Sequence, residues 1–420
     1  MVAKSMGFAR GVVFASIICL FLCGPVSLML CERVDVPLPK WLTTEDSRYL
    51  SGGVEKVDLA GSLSVEGFLD GRLQRAIETT VGNFIPAKAE ALLGNARLQR
   101  SAICLSERMF GWGVYPSYYG SSFLMVPDSQ RLLSMPEKSN GEVFELCDRI
   151  ATGIDDLANM HPEQRFFVYF AMDSPYLNDS PATRLVSDPL TYDQIEEVFK
   201  RDARRYTWVS GDLPYDEYNA GWYKTDHHWT VEGAYEAYCH ISEAMGFAPV
   251  PIEAKDFQPY DGLLFYGTLA RRGLVDEWPD AVMDTGAADK YVKSVFIDGE
   301  KADLPSLHDR ATYLSGEWNQ NRFANHYSEL FHTDYALIEI EGNEPETNES
   351  LLIVSDSYTN CMEALFAARY KHVYIIDSRF CEESVSSFID EHTDVADVLF
   401  LMREAEFLSE ETEKALELSR

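Results

Sequence analysis

Two short runs of the sequence supply the side chains of one kind of chemistry. The first is Thr-Asp-His-His-Trp-Thr at 225–230, and the second is Ser-Asp-Ser-Tyr at 355–358. Together they contain a serine, a histidine and an aspartate, which are the residue types of a serine–histidine–aspartate acyl-transfer site. No other pair of segments in the chain combines them in this way. The two runs therefore predict a nucleophilic serine that acts with an imidazole base.

The first run predicts the base and its orienting acid. Asp226 and His228 are separated by one residue, so an extended segment places both side chains on the same side. The carboxylate then accepts a hydrogen bond from the imidazole, which fixes its tautomer and raises its basicity. We expect His228 to be the general base, Asp226 to orient it and His227 to point elsewhere. The alternative is a loop of satisfied polar groups above a buried Trp229.

The second run predicts the nucleophile. Ser357 follows an apolar stretch and opens a probable helix, and ligand sites of open parallel sheets form beyond the carboxyl ends of strands. Helix N-terminal amides there can stabilise a developing oxyanion. The alternative is that Ser355, Asp356 and Ser357 serve only as helix caps, for which these residue types are favoured.

Metal chemistry is a weaker alternative. His227 and His228 lie beside Asp226, but adjacent histidines rarely bind one ion, and zinc sites on helices prefer i, i+4 spacing. We expect neither a metal nor a cofactor, and a metal-dependent hydrolase that uses the two histidines stays the third hypothesis. No pair of the eight cysteines has CxxC spacing. Disulfides and buried thiols both remain open for Cys104, Cys147, Cys239, Cys361 and Cys381.

Alternating strands and helices are expected to position the serine. Apolar strand patterns occur at 351–354, 373–376 and 397–401, with helical patterns at 358–369 and 382–391 between them. This order indicates right-handed βαβ units and a parallel sheet. Upstream, 165–172 and 206–209 also read as strands, while 191–203 and 230–245 read as helices, the latter with Thr230 as its N-cap.

The Thr-Asp-His-His-Trp-Thr run at 225–230 and the Ser-Asp-Ser-Tyr run at 355–358 resemble the DHHW family. This family is related to the SGNH-hydrolase-like proteins that O-acetylate alginate and other exopolysaccharides. The resemblance includes Phe-Leu-Asp-Gly at 68–71, Asn-Phe-Ile-Pro at 83–86 and the helix that follows the histidines at 230–240. It implies Asp226 as orienter, His228 as base and Ser357 as nucleophile. Ser355 stands where the family usually has glycine.

Three further residues are candidates for the oxyanion or for substrate binding. Tyr358 and Asn360 follow the serine directly, and Arg379 follows the next apolar strand, where it could anchor an acidic sugar. The alternative for Arg379 is an ion pair with Asp377 or another acid.

The resemblance implies an α/β fold with an SGNH-hydrolase-like parallel sheet flanked by helices. It implies an O-acetyltransferase or acetylesterase that acts on a cell-surface polysaccharide, with a multi-pass membrane acyltransferase as a possible acetyl donor. The alternative is a glycan-binding or scaffold module of the cell envelope that has the same fold and no turnover.

Charge and hydropathy bear on location. The formal charge is −32, with 68 acidic against 36 basic residues, which disfavours nucleic acid as a partner. Residues 11–30 are uncharged, follow Lys4 and Arg10, and are long enough to cross a bilayer. We expect a cytoplasmic end at 1–10, a transmembrane helix at 11–30, a linker at 31–64 and an exported domain at 65–420 with a mixed insertion around 255–335. A cleaved signal peptide is the alternative to the anchor.

Overall fold

A computed structural model describes residues 58–417 apart from 84, 86, 112, 118–121 and 382, together with 23, 24, 27, 31, 49 and 50. Its helices in chain order are α1 Leu59–Ser62, α2 Val65–Leu69, α3 Arg72–Asn83, α4 Lys88–Phe110, α5 Gly141–Met160, α6 Tyr192–Asp202, α7 Tyr215–Gly221, α8 Val231–Met245, α9 Thr268–Gly273, α10 Arg310–Ser315, α11 His326–Leu330, α12 Val385–Glu391, α13 Glu404–Phe407 and α14 Glu410–Glu417.

The strands in chain order are β1 Tyr115–Pro116, β2 Phe123–Val126, β3 Arg131–Ser134, β4 Arg165–Ala171, β5 Tyr206–Val209, β6 Gln258–Pro259, β7 Met283–Asp284, β8 Val292–Ile297, β9 Glu300–Ala302, β10 Leu337–Gly342, β11 Ser350–Ser355, β12 His372–Asp377 and β13 Val395–Arg403. Short 3₁₀ helices lie at Ser174–Tyr176, Thr183–Leu185, Ala254–Asp256, Gly286–Tyr291, Leu304–Ser306 and Glu363–Ala368.

Eight strands of the described chain form one central sheet in the order β5-β4-β13-β11-β12-β10-β8-β9. The first five run parallel to one another, as the sequence predicted. The last three are antiparallel, so the sheet is mixed rather than wholly parallel. Two of these edge strands, β8 and β9, come from the segment around 255–335, which was expected to be an insertion.

The parallel strands form because their sequences are apolar on both faces. All six positions of β11 are buried, and β12 and β4 are each buried at all but their first residue. Strands covered on both sides by helices have this continuous apolar pattern. Helices α5, α6, α8 and α12 each place apolar residues in the same core. β11 therefore lies deep in the molecule, and its carboxyl end presents the Ser-Asp-Ser-Tyr run.

The helix predicted at 358–369 is wrong over most of its length. Turns follow β11, and only Glu363–Ala368 is helical, with 3₁₀ geometry. Side chains take the backbone groups that would start an α-helix: Asp356 Oδ1 accepts from the Tyr358 amide at 2.9 Å, and the Thr359 hydroxyl donates to the Asp356 carbonyl at 3.0 Å. Such local bonds compete with helix formation.

The predicted transmembrane segment at 11–30 lies outside the described residues, apart from Cys23, Gly24 and Ser27. A search of the described residues found no helix whose length and apolar character would let it cross a membrane. Most of the expected linker at 31–64 also lies outside the described part, although its end contains α1.

Candidate active site

A tight loop between α7 and α8 holds the Asp-His-His-Trp run. The Tyr223 amide donates to the His228 carbonyl at 3.1 Å, and the Thr230 amide donates to the Gly221 carbonyl at 2.8 Å. The two helix ends meet where glycines face each other, since a Cβ built on Gly233 would lie 2.1 Å from the Gly221 oxygen. Thr230 caps α8 as predicted, with its hydroxyl accepting from the Gly233 amide at 3.2 Å.

The fold brings the two runs together, although 129 positions separate them. Ser357 Oγ lies 2.8 Å from His228 Nε2, and His228 Nδ1 lies 2.6 Å from Asp226 Oδ1. Both ring nitrogens of His228 are therefore engaged, one by the acid and one by the serine. This arrangement lets the imidazole take the hydroxyl proton while the carboxylate stabilises the resulting positive ring.

Asp226 is fixed by backbone donors as well as by the imidazole. Its Oδ1 accepts from the His228 amide at 3.1 Å, and its Oδ2 accepts from the Thr268 amide at 2.5 Å. Burial alone would raise the pKa of this carboxyl, but the neighbouring rings of His227 and His228 and these hydrogen bonds hold it well below its usual value. Asp226 is thus a carboxylate at neutral pH. The amide of Thr268 can approach because Gly267 has no side chain, and a Cβ there would lie 2.4 Å from Asp226 Cβ.

His227 does not point away from the aspartate as the sequence predicted. Its Nδ1 lies 3.3 Å from Asp226 Oδ1, and its ring centroid is 3.9 Å from that of His228. Burial, and then the neighbouring His228, hold the pKa of His227 well below its usual value.

The ligand atoms of Asp226, His227 and His228 lie within 4.8 Å of one another. However, the 2.6 Å between His228 Nδ1 and Asp226 Oδ1 is a hydrogen-bond length, whereas two ligands of one tetrahedral zinc ion stand about 3.3 Å apart. The arrangement observed suits a proton relay better than an ion.

Tyr327, on α11, is a site residue that the sequence did not indicate. Its ring stacks on His228 with centroids 3.9 Å apart and planes 12° from parallel, and its hydroxyl donates to the Ser357 carbonyl at 3.0 Å. One side chain thus touches both the ring of His228 and the backbone of Ser357. It belongs to the irregular stretch around 255–335, where no periodicity pointed to a site.

Tyr358 and Trp229 join the two runs. The Tyr358 hydroxyl donates to the His227 carbonyl, and the Trp229 indole donates to the Tyr358 carbonyl at 2.9 Å. Both side chains are buried. The hydroxyl of Tyr358 therefore helps to position the loop that contains His227, because its proton is donated to that backbone.

The other two candidates for the oxyanion or for substrate binding, Asn360 and Arg379, have protein partners of their own. Asn360 Nδ2 lies 3.5 Å from the His332 carbonyl. Arg379 Nε donates to Asp377 Oδ1 at 2.9 Å, and its Nη2 lies 3.3 Å from Asp334. The ion pair with Asp377 was the alternative considered for this arginine. A role in substrate binding stays a prediction.

A group of charged side chains lies at the ends of β4, β11 and β13, and all of them except the partly buried Arg403 are buried. Asp173 accepts from Arg403 at 3.4 Å, and Glu404 Oε2 accepts from the Asp173 amide at 3.1 Å. Burial raises the pKa of Asp356 to about 6 and, reinforced by Asp173, raises the pKa of Glu404 well above its usual value. The strand-end rule that singled out Ser357 would also have found Asp173 and Arg403.

Comparison with known proteins gives a family match and several similar structures. A DHHW family protein from Eubacterium siraeum has a TM-score of 0.56 at 17% identity, covering 71% of this chain and 95% of that one. Bacillus cereus PatB1 with a sulfonyl adduct has a TM-score of 0.55 at 19% identity, covering 70% and 98%. A second PatB1 structure has a TM-score of 0.53 at 18% identity, covering 69% and 99%. At these identities the similarity establishes the fold.

A search of curated protein sequences found no match to the chain. The family model for the DHHW protein matches residues 208–376, a stretch that contains both runs of the candidate site. The resemblance of this chain to the DHHW family, predicted from the two runs, is therefore confirmed.

Proposed function

We propose that the protein is an SGNH-hydrolase-like acyl-transfer enzyme that uses Ser357, His228 and Asp226. The observation that carries the proposal is the continuous pair of short contacts from serine to imidazole to carboxylate, at 2.8 and 2.6 Å. A binding module needs no such relay, and the buried carboxylate would be costly to retain without a role in orienting the ring.

The mechanism follows from the order of contacts. Ser357 Oγ attacks the carbonyl carbon of an acyl ester, and His228 Nε2 takes the hydroxyl proton as the bond forms. The positive ring is stabilised by Asp226 through Nδ1. His228 then returns the proton to the departing oxygen, which leaves an acyl-serine. An acceptor hydroxyl, from water or a sugar, attacks this ester while His228 accepts its proton, and Ser357 regains its hydroxyl.

We further propose that the acyl group is acetyl and that the acceptor or substrate is a cell-surface polysaccharide, because the chain resembles a family related to exopolysaccharide O-acetylation proteins. A membrane location through residues 11–30 and a multi-pass acyltransferase as acetyl donor belong to the same proposal. The uncharged run in the sequence supports the location. Transfer and hydrolysis use the same acyl-serine and differ in the acceptor that reaches it.

A sulfonyl fluoride tests the nucleophile without knowledge of the natural substrate. We expect the full-length chain in detergent to gain one sulfonyl group on Ser357, located by peptide mass spectrometry, and to hydrolyse a chromogenic acetyl ester. Ser357→Ala and His228→Ala should lose both properties, with rates several orders of magnitude lower.

His240→Ala is the matched control, because this histidine is exposed on α8, the helix that follows the site. It should leave labelling and turnover unchanged. Labelling at another serine, or equal turnover in all variants, would move the site elsewhere. A folded wild-type chain that neither reacts nor turns over, yet retains polysaccharide, would favour the binding module.

A further inference from the structure

Exposed apolar side chains are concentrated in one segment of the described chain. Of the sixteen large hydrophobic residues described as exposed, ten lie between residues 63 and 110. They are Leu63, Val65, Phe68, Leu69, Ile77, Leu92, Leu98, Leu105, Met109 and Phe110. Scattered apolar residues are normal on a protein surface, but a concentration of this kind indicates a surface that something covers.

Helix α4 has two apolar faces. One face buries Ala89, Leu93 and Ala96, and the first two pack in a core cluster that also contains Leu269 and Phe323. The other consists of the exposed residues Ala91, Asn95, Leu98, Ala102, Leu105 and Met109, spaced by three or four positions, and we call it the uncharged face. Leu98, Leu105 and Met109 are 75%, 63% and 79% exposed. A helix at an ordinary water-facing surface carries charges on such a face.

The charge of this segment differs from that of the rest of the chain. Residues 63–110 contain six basic and five acidic residues, a net charge of +1, whereas the remaining residues contain 30 basic and 63 acidic, a net charge of −33. An anionic lipid surface repels most of the molecule but not this segment. Lys88 and Arg108 lie near the two ends of the uncharged face, where basic side chains suit lipid head groups.

The position of the segment in the chain identifies the occupant. Twenty-eight residues, 31–58, separate the uncharged run at 11–30 from α1, so an anchor there keeps this segment within reach of the bilayer surface. We propose that the uncharged face of α4 lies in the membrane interface, with its leucines and Met109 at the boundary of head groups and acyl chains. This inference rests on the membrane location proposed above and is independent of catalysis.

Tryptophan quenching by brominated lipid tests the contact. The full-length chain is reconstituted in vesicles of phosphatidylcholine and phosphatidylglycerol, with bromine near the head-group end of the phosphatidylcholine acyl chains. Leu105→Trp is compared with Leu314→Trp on α10, because both leucines are 63% exposed. We expect bromine to quench the fluorescence that Leu105→Trp adds to the wild-type signal. The fluorescence that Leu314→Trp adds should remain. Met109→Trp is a second probe of the same face if Leu105→Trp does not fold.

Flotation of the vesicles separates the possible failures. If the chain floats but the tryptophans at 105 and 314 are quenched to the same extent, or neither is quenched, the uncharged face does not lie in the membrane interface. The anchor would then still stand. Blue-shifted but unquenched emission at residue 105, with cross-linking between chains, would assign the face to a second copy. A chain that does not float overturns both the anchor and this inference. Failure of Ser357 to react with the sulfonyl fluoride would affect only the proposed catalysis.

Discussion

His228 is held from three directions. Asp226 bonds one ring nitrogen, Ser357 the other, and the ring of Tyr327 covers one face of the imidazole. The sequence predicted the first two contacts because their residue types and spacing have a chemical meaning. It did not predict Tyr327, because a tyrosine in an irregular stretch has many equally plausible fates, and only the folded chain shows which ring lies on the imidazole.

Substitution of Tyr327 should separate its two contacts. Tyr327→Phe keeps the stacked ring and loses the hydrogen bond to the Ser357 carbonyl, so we expect kcat/KM for ester hydrolysis to fall by about fivefold. Tyr327→Leu also loses the stacking and should fall by about a further fivefold. Initial rates of ester hydrolysis over a range of substrate concentrations give kcat/KM for each variant.

Tyr313→Phe provides the control for this series. Tyr313 is also buried, and its hydroxyl lies 3.0 Å from His326 Nδ1 rather than at the nucleophile. It should lower stability without changing kcat/KM. If wild type, Tyr327→Phe and Tyr327→Leu all had the same kcat/KM, Tyr327 would have a purely structural role.

Asp356 should make stability depend on pH. Burial raises the pKa of this carboxyl to about 6, so between about pH 4 and 6 the folded chain keeps a proton that the unfolded chain releases. The free energy of unfolding contributed by this group therefore falls as pH rises through that window. Asp356→Asn removes the effect, and we expect its stability relative to wild type to rise by about 3 kcal/mol between pH 4 and 7.

Urea unfolding of the two chains at several pH values gives this difference. The contributions of Asp173 and Glu404 cancel in it to first order, because both chains contain them. A constant offset between wild type and variant across the range would show that Asp356 has an ordinary pKa.

At the scale of elements, α7, the histidine loop and α8 form one unit. The sequence predicted α8, its threonine cap and the apolar strands, since each depends on local pattern. It did not predict that the glycines at 221 and 233 face each other, or that Gly267 lies against Asp226, because these are contacts between distant segments. For the same reason β10 was missed, and the helix after Ser357 was predicted too long.

Alanine at two helical glycines should have opposite effects. Gly233→Ala places a methyl group against the Gly221 backbone and should destabilise the protein by about 1–3 kcal/mol, with loss of activity as α8 moves. Gly94→Ala in α4 meets no atom within 4 Å and should stabilise by about 1 kcal/mol, because alanine favours the helix. Thermal unfolding and ester hydrolysis measure both effects. A neutral Gly233→Ala would mean that the helix ends can separate without cost.

At the scale of the whole molecule, no disulfide links the cysteines of the described domain. Cys104, Cys147, Cys239, Cys361 and Cys381 are all free thiols, so the structure favours thiols over disulfides, although of these five only Cys147 is fully buried. Reducing agent should therefore leave the unfolding temperature unchanged. Alkylation of the denatured, unreduced chain should modify all five. A mass that shows a pair of them protected would contradict this expectation.

The strand order also determines when the central sheet, and with it the candidate site, can be completed. β13, near the end of the chain, lies between β4 and β11, and both neighbours pair with it along their whole length. During synthesis, β11 can be joined to β4 only after residues 395–403 have been made, because β13 lies between the two strands. Until then the nascent chain holds a serine and a histidine without a completed sheet to unite them. A stop codon before β13 would remove the strand that joins β4 to β11 in the central sheet.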